Sequence, residues 1–264
     1  MTKVGMFDTH AHYNDEKFLS AENGQEGILS YVLENGVDYI MNASTDIEDS
    51  RASISLAKSH ERIYATAGIH PHESGRFAAE LDKAMAELEA MIKSEEKVLA
   101  LGEIGLDFHY DFSTPEDQKK VFEAQLILAR ELDVPVVIHD REAHGATMDM
   151  LRRVKVRNGI MHSFSGSAEM AKELERIGFY ISFSGSVTFK NAVNLQEAAK
   201  VVSKERLLIE TDAPYLAPVP MRGRTNNSAL MIHTAGKLAE IRGVEPQELI
   251  HTTTQNAKEL LFRK

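Results

Sequence analysis

Phe7-Asp8-Thr9-His10-Ala11-His12 carries the first decision about the fold. In an extended strand successive side chains alternate faces, so His10 and His12 point the same way with Asp8 one layer deeper, and two imidazoles can meet one metal ion. An open, doubly wound sheet would carry a glycine-rich turn at this point, and this stretch replaces it. Outward from it the chain alternates short aliphatic or β-branched runs with segments of helical spacing. The runs fall at 4–10, 37–43, 62–69, 97–104, 134–139, 158–163, 178–184 and 206–212. Eight such strands in 264 residues, with no return hairpin, predict an α/β fold of the (β/α)8 TIM-barrel type. No linker or composition shift divides the chain, so a single domain over residues 1–264 is expected.

The intervening helices announce themselves. Thr114 is placed as an N-cap and Pro115 at the first helical position, and Val121, Gln125, Leu128 and Leu132 then repeat at helical spacing. Phe77, Leu81, Met85, Leu88 and Ile92 draw a second stripe. Ile241 to Gly243 followed by Pro246 splits the C-terminal region into two helices.

Composition sets bounds on function. A net charge of −10 argues against a protein that coats nucleic acid through a broad basic face, while leaving room for local grip on a few phosphates. Cysteine is absent, which removes disulfides and thiolate ligands and fits a cytoplasmic protein. No apolar run approaches 18 residues and no basic-then-apolar leader is present, so neither a membrane span nor a secretory signal is expected. Nothing in the chain calls for an obligate protein partner.

Functional side chains of a barrel lie at the C-terminal ends of its strands. There the sequence places His10 and His12, His70, Glu103, His139, His162 and Asp212. Imidazoles and carboxylates gathered at one rim suit divalent cations. Two ions about 3.5–4 Å apart need a bridging carboxylate, further ligands, and room for water and substrate. Glu103, in the middle of the series, is the natural bridge. His10, His12 and Asp212 complete one site, and His139 with His162 the other, because the first and eighth strands are neighbours in a closed barrel, as are the fifth and sixth. Water between the ions becomes the nucleophile, with Asp212 shuttling its proton. Mg2+, Mn2+ and Zn2+ are all compatible with these donors.

Together Phe7-Asp8-Thr9-His10-Ala11-His12, Gly68-Ile69-His70-Pro71, Gly102-Glu103-Ile104-Gly105-Leu106-Asp107, Ile138-His139, His162-Ser163-Phe164-Ser165-Gly166 and Glu210-Thr211-Asp212-Ala213-Pro214-Tyr215-Leu216 closely resemble the TatD-type metal-dependent deoxyribonucleases of the amidohydrolase-like barrels. The resemblance runs from residue 6 to about residue 226. It implies divalent-metal-dependent hydrolysis of nucleic-acid phosphodiesters, DNA foremost, with 3′ to 5′ exonuclease action, activity with Mg2+, and the ligand set above. Arg222-Gly223-Arg224 resembles the family's basic segment, but its Thr225-Asn226-Asn227 continuation departs from the pattern.

Other residues carry two readings each. Asp8 and Glu210 either orient ligands or form a buried ion pair. His70 either holds a phosphate oxygen or assists the leaving group, or else is satisfied by its neighbours at the barrel mouth. Arg141 suits phosphate or an ion pair with Asp140 or Glu142. The repeated Ser163-Phe164-Ser165-Gly166-Ser167 and Ser182-Phe183-Ser184-Gly185-Ser186 either cup an anion or serve as turn and N-cap. The proline-rich lip from Ala213 to Asn227 brings Tyr215, Arg222 and Arg224 beside Asp212, and a base is expected to stack on Tyr215 or Phe164. Two further functions compete with the nuclease. One is an amide, lactone or ester hydrolase of the same superfamily, such as a D-aminoacyl-tRNA deacylase; the other is a barrel that stores metal or docks a partner.

Overall fold

The computed structural model describes residues 5–262. Its strands are β1 (Met6–Ala11), β2 (Val37–Asn42), β3 (Ile63–Ala67), β4 (Val98–Asp107), β5 (Val136–Arg141), β6 (Gly159–Met161), β7 (Phe179–Phe183) and β8 (Leu207–Ile209). They lie in chain order in one parallel sheet with helices between them, which is the expected (β/α)8 barrel. The ring is nearly closed: Asp212 N–H donates to His10 O at 2.9 Å and His12 N–H to Ala213 O at 2.7 Å, beside a parallel bridge between Ala11 and Ala213. Strands covered by helices on one face and by one another on the other are buried on both, and every residue of β1 and β7 is buried. Val4, at the start of the expected first strand, lies outside the described residues.

By contact density the chain forms two compact units. One contains the segment through Asn42, His162–Arg176 and the chain from Tyr180 on. Phe7 on β1 packs there against Tyr39 and Phe262, with ring centroids 5.4 and 5.7 Å apart. The two expected C-terminal helices are Met231–Arg242, ended by Gly243 at φ +66°, and Pro246–Leu261, opened by its proline. The other unit contains Ala43–Met161 and Ile177–Phe179. The helix Pro115–Leu132 starts as expected, with the Thr114 side chain accepting from Asp117 N–H at 3.1 Å. The stripe from Phe77 begins in short turns, and its long helix is Leu81–Ser94.

Strand ends differ from expectation in ways that matter for the site. β4 continues to Asp107, so Glu103 is in mid-strand and not at its tip. The extension pairs with β5 at Gly105 opposite His139 and Asp107 opposite Arg141. A Cβ at Gly105 would fall 1.9 Å from His139 O, so only glycine lets the two backbones meet here. β6 and β8 stop early, and His162 and Asp212 lie in the turns beyond them. Ser163 at φ +39° and Asp212 at φ +57° are left-handed, a conformation no strand continues. Among the described residues no helix is long and apolar enough to cross a membrane.

Candidate metal centre

β1 and the turn after β8 build the first donor cluster. His10 and His12 face one way, as alternation requires, and their Nε2 atoms are 3.1 Å apart. Asp212 Oδ1 lies 3.4 Å from His12 Nε2 and 3.8 Å from His10 Nε2. Two donors that each sit about 2.1 Å from one ion can be at most about 4.2 Å apart, and all three separations meet that limit. Burial raises the Asp212 pKa, but the hydrogen bond with His12 and the nearby His162, His10 and His12 more than reverse this, and the net shift is downward. An ionised carboxylate among imidazoles is a donor set for a divalent cation.

The His162 ring stacks on His10 with centroids 3.9 Å apart. Its Nδ1 lies 3.1 Å from Glu210 Oε1, which also accepts from Ser163 N–H at 2.6 Å. Holding Nδ1–H on a buried carboxylate turns the Nε2 lone pair outward for a ligand, which is the orienting reading of Glu210. Asp8 does something else. It accepts from Thr211 Oγ1 and Ser228 Oγ at 2.6 Å each, and from Thr211 N–H at 3.0 Å and His10 N–H at 3.3 Å. Thus Asp8 fastens β1 to the turn carrying Asp212, and it touches a ligand residue only through the backbone.

The second cluster is His70, Glu103 and His139. Glu103 Oε1 lies 2.8 Å from His139 Nδ1 and 3.5 Å from His70 Nε2. Asp107 Oδ2 lies 3.2 Å from His139 Nε2 and 2.8 Å from His72 Nε2. Both ring nitrogens of His139 thus face carboxylates, and a hydrogen bond from Nε2–H to Asp107 would leave Nδ1 as the nitrogen able to ligate an ion beside Glu103. His70 is different. Burial lowers its pKa to about 4, so the ring is neutral at pH 7, and its Nδ1 accepts from His72 N–H at 3.2 Å. Its single proton is therefore on Nε2, which faces Glu103 Oε1 at 3.5 Å and makes His70 a hydrogen-bond donor there.

Asp107 and His72 were not assigned roles by sequence reasoning. Asp107 had a signal: Glu103, Gly105 and Asp107 share one face of β4 by simple alternation. His72 had none, because the turn Pro71–Glu73 that aims it is a one-turn 3-10 helix. The remaining expected residues lie as follows. Tyr215 is 45% exposed, meets the His12 ring edge-on at 6.3 Å, donates its hydroxyl to Asp15 and carries the Lys17 ammonium over its ring at 4.6 Å. Phe164 cannot stack a base: it is 1% exposed and packs on Phe183. Arg141 lies over the Tyr110 ring at 4.7 Å, whereas Asp140 engages His144 and Glu142 engages His109. Arg222 lies over Phe189 at 3.9 Å. In the serine repeats, the Ser163, Ser184 and Ser186 hydroxyls bond one another at 3.0 and 2.9 Å, and Ser167 Oγ accepts from Met170 N–H as an N-cap. That favours the turn-and-cap reading over an anion cup.

A family described as TatD related DNase matches residues 7–262. The chain belongs to the TatD family of metal-dependent hydrolases. It is 37% identical to the uncharacterized metal-dependent hydrolase YabD of Bacillus subtilis, over 97% of this chain and 98% of that one. It is 33% identical to the 3′-5′ ssDNA/RNA exonuclease TatD of Escherichia coli K12, again over 97% and 98%. The crystal structure of YJJV, a TatD homolog from E. coli, superposes with a TM-score of 0.88 at 29% identity, covering 98% of each chain. In TatD-family terms the unusual Thr225-Asn226-Asn227 is structural: buried Asn226 Nδ2 donates to Thr211 O and Tyr215 O at 3.0 and 2.7 Å, which anchors the lip beside Asp212.

Proposed function

We propose that this TatD-family chain hydrolyses phosphodiester bonds of nucleic acid, single-stranded DNA foremost, as a 3′ to 5′ exonuclease using two divalent ions. The observation that carries the reading is an ionised Asp212 gathered with imidazole donors beside the exposed Tyr215 ring. Such a constellation offers cation ligands and a base-stacking surface together. A relative of 33% identity is named an ssDNA/RNA exonuclease, which supports the choice of bond.

His10, His12 and Asp212 would hold one ion, and His139 and His162 the other, with Glu103 shared between them. What the ions supply when bound is positive charge at the phosphate and a lowered pKa for the attacking water; Mg2+, Mn2+ and Zn2+ all suit nitrogen and oxygen donors. Asp212 accepts the proton of that water. His70, neutral with its proton on Nε2, donates to a phosphate oxygen or to the departing one. Asp107 and Glu210 keep His139 and His162 in the ligating tautomer. Tyr215 stacks a base, and Arg141 and Arg222 contact flanking phosphates.

The test is a substrate panel on metal-stripped protein reloaded with one cation at a time. Linear single-stranded DNA should be shortened stepwise from its 3′ end, while covalently closed circles persist. Release of amino acid from charged tRNA without shortening of DNA would replace the nuclease with a deacylase.

A further inference from the structure

The segment after β4, Phe108-His109-Tyr110-Asp111-Phe112, places large rings in solvent: Tyr110 is 42% and Phe112 67% exposed. The two ring centroids are 5.5 Å apart, and the His72 ring meets Phe112 at 4.7 Å and Tyr110 edge-on at 5.5 Å. A cavity of about 440 Å³ opens beside Phe112, lined by His72, Glu73, Gly75, Arg76, Phe112 and Ser113. That volume is in the range of small-molecule sites, about 300–1,000 Å³. Its wall is fixed, because Ser113 Oγ donates to His72 O at 2.6 Å and accepts from Gly75 N–H at 2.9 Å.

Charge and position narrow the occupant. Glu142 is engaged by His109, and Arg76 is shared by Glu73, Asp46 and Glu48, which leaves that wall of the cavity acidic, whereas the Arg141 guanidinium lies on the Tyr110 ring as a cation next to an aromatic face. Lys119 lies over Phe108 at 5.5 Å. Asp111 is exposed in the same segment, so the cationic character is local. His72 joins this strip to the chemistry, since the Asp107 oxygen it faces also faces His139. A ligand here must offer flat π faces for the rings and an anion for Arg141, and must reach a cluster of metal-ligating type. A short run of single-stranded nucleotides has all three features.

We propose that His72, Tyr110, Phe112 and Arg141 form a nucleotide subsite. One base of a single strand enters the cavity against Phe112, the neighbouring base lies on Tyr110, and the phosphate between them meets Arg141. This deepens the nucleic-acid reading above and rests on it. It assigns a task to two rings that contribute little to the core.

The experiment is fluorescence anisotropy with metal-stripped full-length protein, which binds without cutting. The probes are an end-labelled single-stranded decamer and its abasic counterpart, and the proteins are wild type, Phe112→Ala, Phe112→Trp and Tyr110→Ala. Phe112→Ala should weaken binding of the decamer by roughly ten- to hundredfold, with Tyr110→Ala somewhat less damaging. Phe112→Trp should bind as wild type does, and the abasic probe should bind weakly and alike to all four proteins. Normal affinity of both alanine variants for the decamer overturns the subsite and leaves the nuclease standing. A wild-type protein that binds neither probe, and that also fails to shorten DNA when reloaded with metal, overturns the nucleic-acid reading together with the subsite.

Discussion

Asp8 and Asp107 are both buried aspartates on barrel strands, each surrounded by four polar partners, and their environments act in opposite directions. Asp8 accepts from two hydroxyls and two backbone amides, and burial outweighs those neutral donors and pushes its carboxyl up to about 6. Burial would raise Asp107 too. There the imidazoles of His139 and His72, with the His109 amide, win instead and hold it well below the usual carboxylate range. Neutral dipoles satisfy a buried carboxylate without fully replacing water, whereas groups that can carry charge stabilise its ionised form. Asp8 is therefore part of the scaffold that closes β1 onto the turn after β8. Asp107 is coupled to the protonation of a candidate ligand.

The largest effect that would sharpen this contrast is at Glu103. Glu103→Gln removes the charge shared by the proposed ions and should abolish most turnover and lower metal stoichiometry while circular dichroism stays unchanged. Two bound metals with normal turnover would rule out the bridge. Asp212→Asn comes next, with an expected loss in kcat of about 10²–10⁴-fold, the range of a general base, and a smaller change in KM. Unchanged kcat with a raised KM would make Asp212 a binding residue.

Asp107→Asn tests the coupling itself. If Asp107 sets the tautomer of His139, the variant should lose roughly 10- to 100-fold in metal affinity or activity, as partners of ligating histidines do. Asp8→Asn should act mainly on stability, read as a shift in thermal midpoint. Equal losses of metal affinity in the two variants would erase the distinction between scaffold and coupled aspartate.

The same contrast marks what could be read from sequence. Period-two alternation was enough to set His10 and His12 on one face of β1, and the eight strand-helix repeats were enough for the barrel. Local turn geometry was not legible. Glu103 was expected at a strand tip, yet β4 runs on to Asp107 because Gly105 permits its close approach to His139 O. His162 and Asp212 were expected on strands, and left-handed backbone at Ser163 and Asp212 puts them in turns. Phe164 was expected as one of two rings to stack a base, and it is buried against Phe183. Tautomers such as that of His70 depend on a single backbone N–H from a one-turn helix, a contact no residue spacing encodes.

The smallest effect is the one that separates Asp8 from His70 by sign. Asp8 goes from 3.8 in its ordinary state to about 6 when folded, so between those values the native state holds more protons than the unfolded chain. Its contribution to stability therefore rises as pH falls through that window. His70 goes from 6.5 to about 4, so the unfolded chain holds more protons and stability falls as pH drops. Each change is on the order of 3 kcal/mol at about 1.4 kcal/mol per tenfold change in proton affinity, and the two oppose each other over pH 4 to 6. Asp107 and Asp212, whose shifts are downward, act below their ordinary value of 3.8, exposed Glu169, also shifted downward, acts below 4.5, and His144, shifted upward, acts above 6.5. The contributions of Asp8 and His70 should thus nearly cancel from pH 6 to pH 4, and the urea unfolding free energy of each metal-free variant should depart from the wild-type slope with its own sign. Relative to wild type, Asp8→Asn should lose stability steadily over that range, and His70→Gln should gain it, whatever offset either substitution adds at neutral pH. Parallel slopes in the two variants would mean that burial does not set these two pKa values, and the contrast between neutral and chargeable partners would fail with it.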